Sequence, residues 1–182
     1  MQHHKTSIEG CFELIPSVFE DERGTFKECF KTSKLEEILG YAPDFVQENE
    51  SESHYGTLRG LHYQKGAMAQ AKLIRVVEGL ILDVVVDLRA DSDSFGTHYT
   101  VELSKEKGNQ LFIPRGCAHG FVVLSKSATI TYLCDNEYHP ASEAGILYSD
   151  HHLGIDWKLN SSELIISKKD LELPLFNEIS YE

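Results

Sequence analysis

KLIRVVEGLILDVVVDL, Lys72 to Leu88, reads as two β-strands joined by a tight turn at Glu78-Gly79. In the second arm Leu80, Leu82, Val84, Val86 and Leu88 recur at every second position, which puts them on one face of a strand. Runs of the same kind lie on both sides. Upstream are Phe26 to Phe30, Phe45 to Asn49 and Thr57 to Gln64; an extended segment over 8–19 and a charged turn, Glu20 to Gly24, precede them. Downstream are Tyr99 to Leu103, Gln110 to Ile113, Ala118 to Leu124, Ala128 to Cys134 and Gly145 to Tyr148. Such runs, spaced by roughly ten residues with Gly, Pro, Asn and Ser between them, predict an all-β sandwich or barrel rather than a βαβ fold. Ser33-x-x-Glu36, the stripe Leu35, Ile38, Leu39, and the breakers Gly40 and Pro43 predict a short N-terminal helix. Ser167-x-x-Asp170 is a second cap pattern and predicts a short C-terminal helical segment.

A length of 182 residues suits one domain, 1–182, large enough to bury a core without staples. The net charge of −12 argues against nucleic acid or an acidic membrane as partner, since both need a basic face. An anionic small molecule remains open if cations are gathered locally. Cys11, Cys29, Cys117 and Cys134 form no Cys-x-x-Cys pair and no zinc spacing, so reduced thiols are expected. With no signal-peptide pattern and no membrane-length apolar run, a cytoplasmic location is expected.

The stretch Thr57 to Gln64 carries His62 behind Arg59, and Lys72 follows on the next strand. Alone, a strand histidine is more often packed or solvated than catalytic. Together, a neutral imidazole and a nearby ammonium suit removal of a proton beside a carbonyl, with the cation holding the charge that develops on oxygen. One point of geometry stays open. Arg59 and His62 are an odd number of residues apart and would face opposite sides of a regular strand. Either Gly60 marks a bulge or Arg59 lies outside the strand.

Ile113 to Gly120 contains Pro114-x-Gly116-x-x-His119, which resembles the second half-motif of cupin barrels, a double-stranded β-helix of the jelly-roll kind. In metal-binding cupins that histidine is a ligand beside a His-x-His pair. Here the pair reads His62-Tyr63-Gln64, and an amide is a poor replacement for imidazole on a transition metal, so no metal is expected.

The strings Asp21 to Gly24, Leu58 to Gln64, Ala71 to Arg75, Ile113 to Gly116, Ala118 to Phe121, Gly154 to Trp157 and Ser167 to Asp170 resemble, in one order over nearly the whole chain, the dTDP-4-dehydrorhamnose 3,5-epimerase family. The resemblance implies a cofactor-free homodimeric cupin. Such an enzyme inverts C3 and C5 of dTDP-4-dehydro-6-deoxy-D-glucose on the way to L-rhamnose for cell-envelope polysaccharide. It implies His62 as base, Asp170 as its orienter, Lys72 as enolate-stabilising ammonium and Tyr132 as the acid on the opposite side of the sugar. It implies Arg23 and Arg59 at the diphosphate, Tyr138 stacked on the base and His119 as a polar contact. Gln47, Glu48 and Asn49 fall at nucleotide and sugar contacts, Glu143 and Lys169 at outer polar ones, and Phe26 and Glu28 are expected from across the dimer. Asp170 has a second reading as a plain cap residue. Three rival functions stand beside this one: an epimerase of the same family acting at one carbon or on another nucleotide ketosugar, a metal-dependent cupin oxygenase, and a non-catalytic sugar-binding cupin.

Overall fold

A computed structural model of the chain describes residues 1–179. The chain runs β1 (Gln2–Lys5), β2 (Phe12–Ile15), β3 (Val18–Asp21), β4 (Gly24–Lys27), α1 (Thr32–Leu39), β5 (Gln47–His54), β6 (Thr57–Gln64), β7 (Lys72–Glu78) and β8 (Leu80–Asp87). It continues β9 (His98–Ser104), β10 (Gln110–Ile113), β11 (Cys117–Val123), β12 (Ser127–Cys134), β13 (Glu143–Gly145), β14 (Ile165–Ile166) and α2 (Lys168–Leu171). One sheet has the order β1-β2-β10-β7-β12-β5, the other β13-β6-β11-β8-β9 with β14 added in parallel to β6. β7 and β8 are consecutive but lie in different sheets, so Gly79 is a corner between the sheets rather than a hairpin turn. Its φ is 83°, and a Cβ there would strike the Ser127 carbonyl.

Three apolar layers follow from this order. Between the sheets lie Ile74, Val76, Ile81, Val85, Leu103, Leu111, Phe121 and Ile130. Leu58, Leu61, Leu82, Val84, Val86 and Val122 cover the other side of the second sheet, where Ile146, Leu153 and Trp157 close over them. That is why β8 is apolar on both faces rather than on one. On the outside of the first sheet Leu14, Leu73 and Phe112 receive Leu35 of α1. Each such side chain, fully buried, stabilises the fold by about 1.5–3 kcal/mol relative to exposure.

The differences from expectation have local causes. α1 starts at Thr32 with Lys31 as its N-cap and no side-chain cap bond, so Ser33 is inside the helix and its capping box is not formed. Gly40 does end the helix, in the left-handed conformation. β5 runs on to His54 through Gln47, Asn49, Ser51 and Ser53, whose inward positions are polar and so carry no apolar signal. The strand expected over Phe26 to Phe30 stops at Lys27, and that expected from Gly145 is instead Glu143–Gly145. β3 and β4 form a separate hairpin in which Phe19 pairs with Phe26, exposed by 62% and 69%.

The end of β8 is tied by a buried carboxylate. Asp87 accepts from the Arg89 guanidinium and backbone N–H and from the hydroxyls of Ser92 and Ser94. Burial pushes its carboxyl up, but these donors outweigh burial and hold it at about 2 against 3.8 for a free group. Because the folded-state value is the lower one, this stabilisation is complete above the unfolded value and fades as pH falls toward about 2. We therefore expect acid unfolding of Asp87→Asn to lose about 2 kcal/mol of its pH dependence between pH 4 and 2 relative to wild type, read from urea midpoints at each pH.

Candidate active site

β6 decides which side chains share a cavity. Its register with β11 pairs His62 with His119 and Arg59 with Phe121, so two residues on β6, Gly60 and Leu61, stand opposite one on β11, Gly120. The extra residue is a bulge at Gly60-Leu61, whose peptide is cis. It offsets the odd spacing and leaves Arg59 and His62 on one face, which answers the question left open by the sequence. Glycine is required there. Gly60 has φ 117°, and a Cβ on it would lie 2.6 Å from the Gly120 Cα. A Cβ on Gly120 would lie 2.7 Å from the Arg59 carbonyl oxygen.

A cavity of about 530 Å³ opens on that face, lined by His62, Arg59, Lys72, His119, Tyr132 and Asp170 among others. His62 Nε2 lies 2.8 Å from Asp170 Oδ1 across 108 residues of chain. With the carboxylate as acceptor, Nε2 carries the proton and Nδ1 keeps its lone pair. Asp170 is 4% exposed. It arrives because β14 pairs with the start of β6, after which Ser167 accepts the Asp170 backbone N–H at 3.1 Å and opens α2. The cap and the His62 contact are thus both made, one by the backbone and one by the carboxylate. Its second oxygen accepts the Gly60 N–H at 3.4 Å.

Tyr132 and Lys72 come from the opposite sheet, on β12 and β7. Lys72 Nζ is 6.0 Å from the centre of the Tyr132 ring. Burial holds the Lys72 ammonium below the usual lysine range, with the charges of Cys134, Asp83 and Glu143 pulling it partly back. Burial raises the Tyr132 phenol, opposed by Arg59, so the hydroxyl keeps its proton and can donate it. A second imidazole-carboxylate pair stands beside the first: His119 Nε2 is 2.7 Å from Oδ1 of Asp83, which is fully buried. Asp83 Oδ2 has no hydrogen-bond partner among the described residues. The sequence reading passed over Asp83, although a lone carboxylate between Ile81 and Val85 in an apolar strand is itself a signal. It also passed over Ser53, whose hydroxyl accepts from Arg59 Nε at 3.1 Å, and Ser51, which lines the cavity with a buried hydroxyl that has no partner among the described residues.

At the cavity mouth Lys169 donates to Glu143 at 2.6 Å, and the Tyr138 hydroxyl donates to the same oxygen at 2.8 Å. Gln47 accepts the Tyr138 N–H and donates to Asn49, on the inward side of β5. Glu48 alternates to the other side of β5, near Cys29, Phe30 and Arg75. Arg23, Phe26 and Glu28 are also not brought to this cavity. Arg23 is exposed on the β3–β4 turn and pairs with Asp21, Phe26 projects from the hairpin, and Glu28 faces Lys31.

A barrel of two largely antiparallel sheets, with an imidazole, a phenol and an ammonium lining one cavity, is a cupin-type barrel. The family model for dTDP-4-dehydrorhamnose 3,5-epimerase matches residues 5–178. The Escherichia coli dTDP-4-dehydrorhamnose 3,5-epimerase is 47% identical over 96% of this chain and 94% of its own. A crystal structure of the Elizabethkingia anophelis dTDP-4-dehydrorhamnose 3,5-epimerase superposes with a TM-score of 0.95 at 49% identity, covering 98% of this chain and 97% of that one. The Legionella pneumophila dTDP-6-deoxy-D-glucose-3,5-epimerase, solved in complex with dTDP-4-keto-L-rhamnose, gives 0.94 at 44% identity, covering 98% and 94%. The chain belongs to the dTDP-4-dehydrorhamnose 3,5-epimerase family.

The Lys72 environment can be tested without substrate. Burial disfavours the charged amine, so its NMR titration, assigned by loss of the signal in Lys72→Met, is expected to have a midpoint below 10.5. A midpoint at or above that value would contradict the desolvation of the ammonium at this half-buried position.

Proposed function

We propose that the chain is a single-domain dTDP-4-dehydrorhamnose 3,5-epimerase that converts dTDP-4-dehydro-6-deoxy-D-glucose to dTDP-4-dehydro-L-rhamnose. The observation that carries this reading is one cavity holding a carboxylate-backed imidazole on one sheet and a protonated phenol with an ammonium on the other. C3 and C5 both flank the C4 ketone, so loss of either hydrogen gives an enolate. His62 Nδ1 takes the proton while Asp170 steadies the imidazolium that forms. The Lys72 ammonium stabilises the charge on O4. Tyr132 returns a proton to the other face of the ring and inverts the centre. Each cycle leaves an imidazolium and a phenolate, which restore themselves through solvent, and the second carbon follows by the same steps. His119, held by Asp83, contributes a polar contact to the sugar.

Arg59 receives the diphosphate, for which a planar guanidinium is suited. Tyr138, Gln47, Asn49, Glu143 and Lys169 form the nucleotide side of the mouth, and Glu48 lies beyond it on the outer face of β5. Arg23, Phe26 and Glu28 would be supplied by a second copy. The projecting hairpin, with its exposed Phe19–Phe26 pair and an arginine at its tip, is shaped to reach a neighbour. The active species is then a homodimer. A cytoplasmic location and a role in building dTDP-L-rhamnose for cell-envelope polysaccharide complete the proposal.

Turnover in heavy water is expected to place deuterium at both C3 and C5. Label at one carbon alone would favour a single-carbon epimerase. His62→Ala should abolish exchange at both and spare dTDP binding; retained turnover would rule out the assigned base. The dimer has its own test. His62→Ala and Arg23→Ala are each expected to be nearly inactive, and their re-equilibrated mixture to recover roughly a quarter of wild-type activity, because each hybrid has one intact site. No recovery would mean that the hairpin serves its own protomer.

A further inference from the structure

Gln64 occupies the position where a metal-binding cupin has the second histidine of its pair. The side chain is 6% exposed. Its amide nitrogen donates to the Met68 carbonyl at 2.7 Å and to the Glu137 carbonyl at 3.1 Å. Its amide oxygen accepts the His139 N–H at 2.6 Å. Both N–H bonds are therefore spent on backbone, and Glu137 and His139 are the two residues flanking Tyr138. Nearby amides stitch the same two loops: Gln70 donates to the Asn136 carbonyl at 2.8 Å and Asn136 to the Ala67 carbonyl at 3.0 Å. Of the three, only Gln64 sits on a strand, and that strand carries His62 two residues earlier. Tyr138 is otherwise held through its own N–H by Gln47 and through its hydroxyl by Glu143.

We propose that Gln64 is a positioning residue for Tyr138. It fixes the backbone on both sides of that ring to the strand bearing the base, so that the nucleotide's aromatic platform and the imidazole keep one spacing. The inference rests on the reading above that the Tyr138 loop receives the nucleotide. A buried amide with two donors and an acceptor does this work where neither imidazole nor carboxylate could. Neutral imidazole has one donor, and carboxylate would face two carbonyls with none. Loss of the three bonds frees a loop rather than emptying the core, so the effect should fall on binding before chemistry.

The test is a double-mutant cycle on dTDP affinity and turnover with Gln64→Met, Tyr138→Ala and the pair. Gln64→Met is expected to raise the dTDP Kd about tenfold and to raise KM more than it lowers kcat. In the Tyr138→Ala background the same change should cost less than about twofold. Hydrogen exchange at the His139 amide should speed up in Gln64→Met while β12 amides keep their protection. If Gln64→Met does not fold, Gln64→Glu, which keeps the acceptor and loses both donors, carries the same measurements. An equal Kd penalty with and without Tyr138, or unchanged exchange at His139, would overturn the assignment. Wild-type protein that does not bind dTDP would instead overturn the function reading and with it the nucleotide part of this inference, while the exchange arm still reports the coupling.

Discussion

One extra residue in β6 governs the rest. A regular strand would send Arg59 and His62 to opposite faces, and the cavity would hold either the guanidinium or the imidazole. The bulge at Gly60 removes that choice. It exists because two glycines on neighbouring strands, Gly60 and Gly120, let the backbones approach where any side chain would collide. The same bulge aims the Gly60 N–H at Asp170. The irregularity that turns His62 inward therefore also supplies a donor to the carboxylate that holds it, and strand geometry and acid–base geometry become one constraint.

That constraint shows where sequence patterns inform and where they do not. β6, β7, β8, β10, β11 and β12 were legible because their apolar residues alternate or run together, and the cupin half-motif placed His119. β5 was half-missed because its inward residues are the polar ones that line the site. The parity of Arg59 and His62 was undecidable, since a bulge leaves no mark beyond a glycine, and glycines serve several purposes. The strand expected over Phe26 to Phe30 ran too far at its end. Phe26 is exposed, and the strand stops at Lys27. Asp83 escaped because an odd-numbered position in a strand read by its even-numbered face is easily taken for the solvent side. With both faces of β8 buried, that side is the interior.

Ser167-x-x-Asp170 had looked like a contest between a helix cap and a catalytic orienter. The two use different atoms. The serine hydroxyl takes the aspartate's N–H, and this fixes a four-residue helix too short to be stable alone. The carboxylate, freed from capping, turns to His62. A cap is a short, rigid way to present an acid from a distant part of the chain. Parallel pairing of β14 with β6 sets the distance before the helix begins.

The charge of the chain and the charge of the site run in opposite senses, for a physical reason. A net charge of −12 repels an anionic substrate at long range, but screening confines that repulsion to about 10 Å at ordinary ionic strength. Inside the cavity the balance is local. Arg59 faces it with only a serine on its Nε, and Lys72 faces it without a salt bridge among the described residues. Asp170 and Asp83 are each turned to an imidazole. Because these carboxylates are hydrogen-bonded to imidazoles rather than paired with Arg59 or Lys72, both cations are left for a ligand. A partly buried lysine with no salt bridge among the described residues is disfavoured in its charged form, in keeping with the lowered Lys72 pKa. The structure keeps this amine facing the cavity, where a negatively charged ligand atom would supply the counter-charge that the described residues do not.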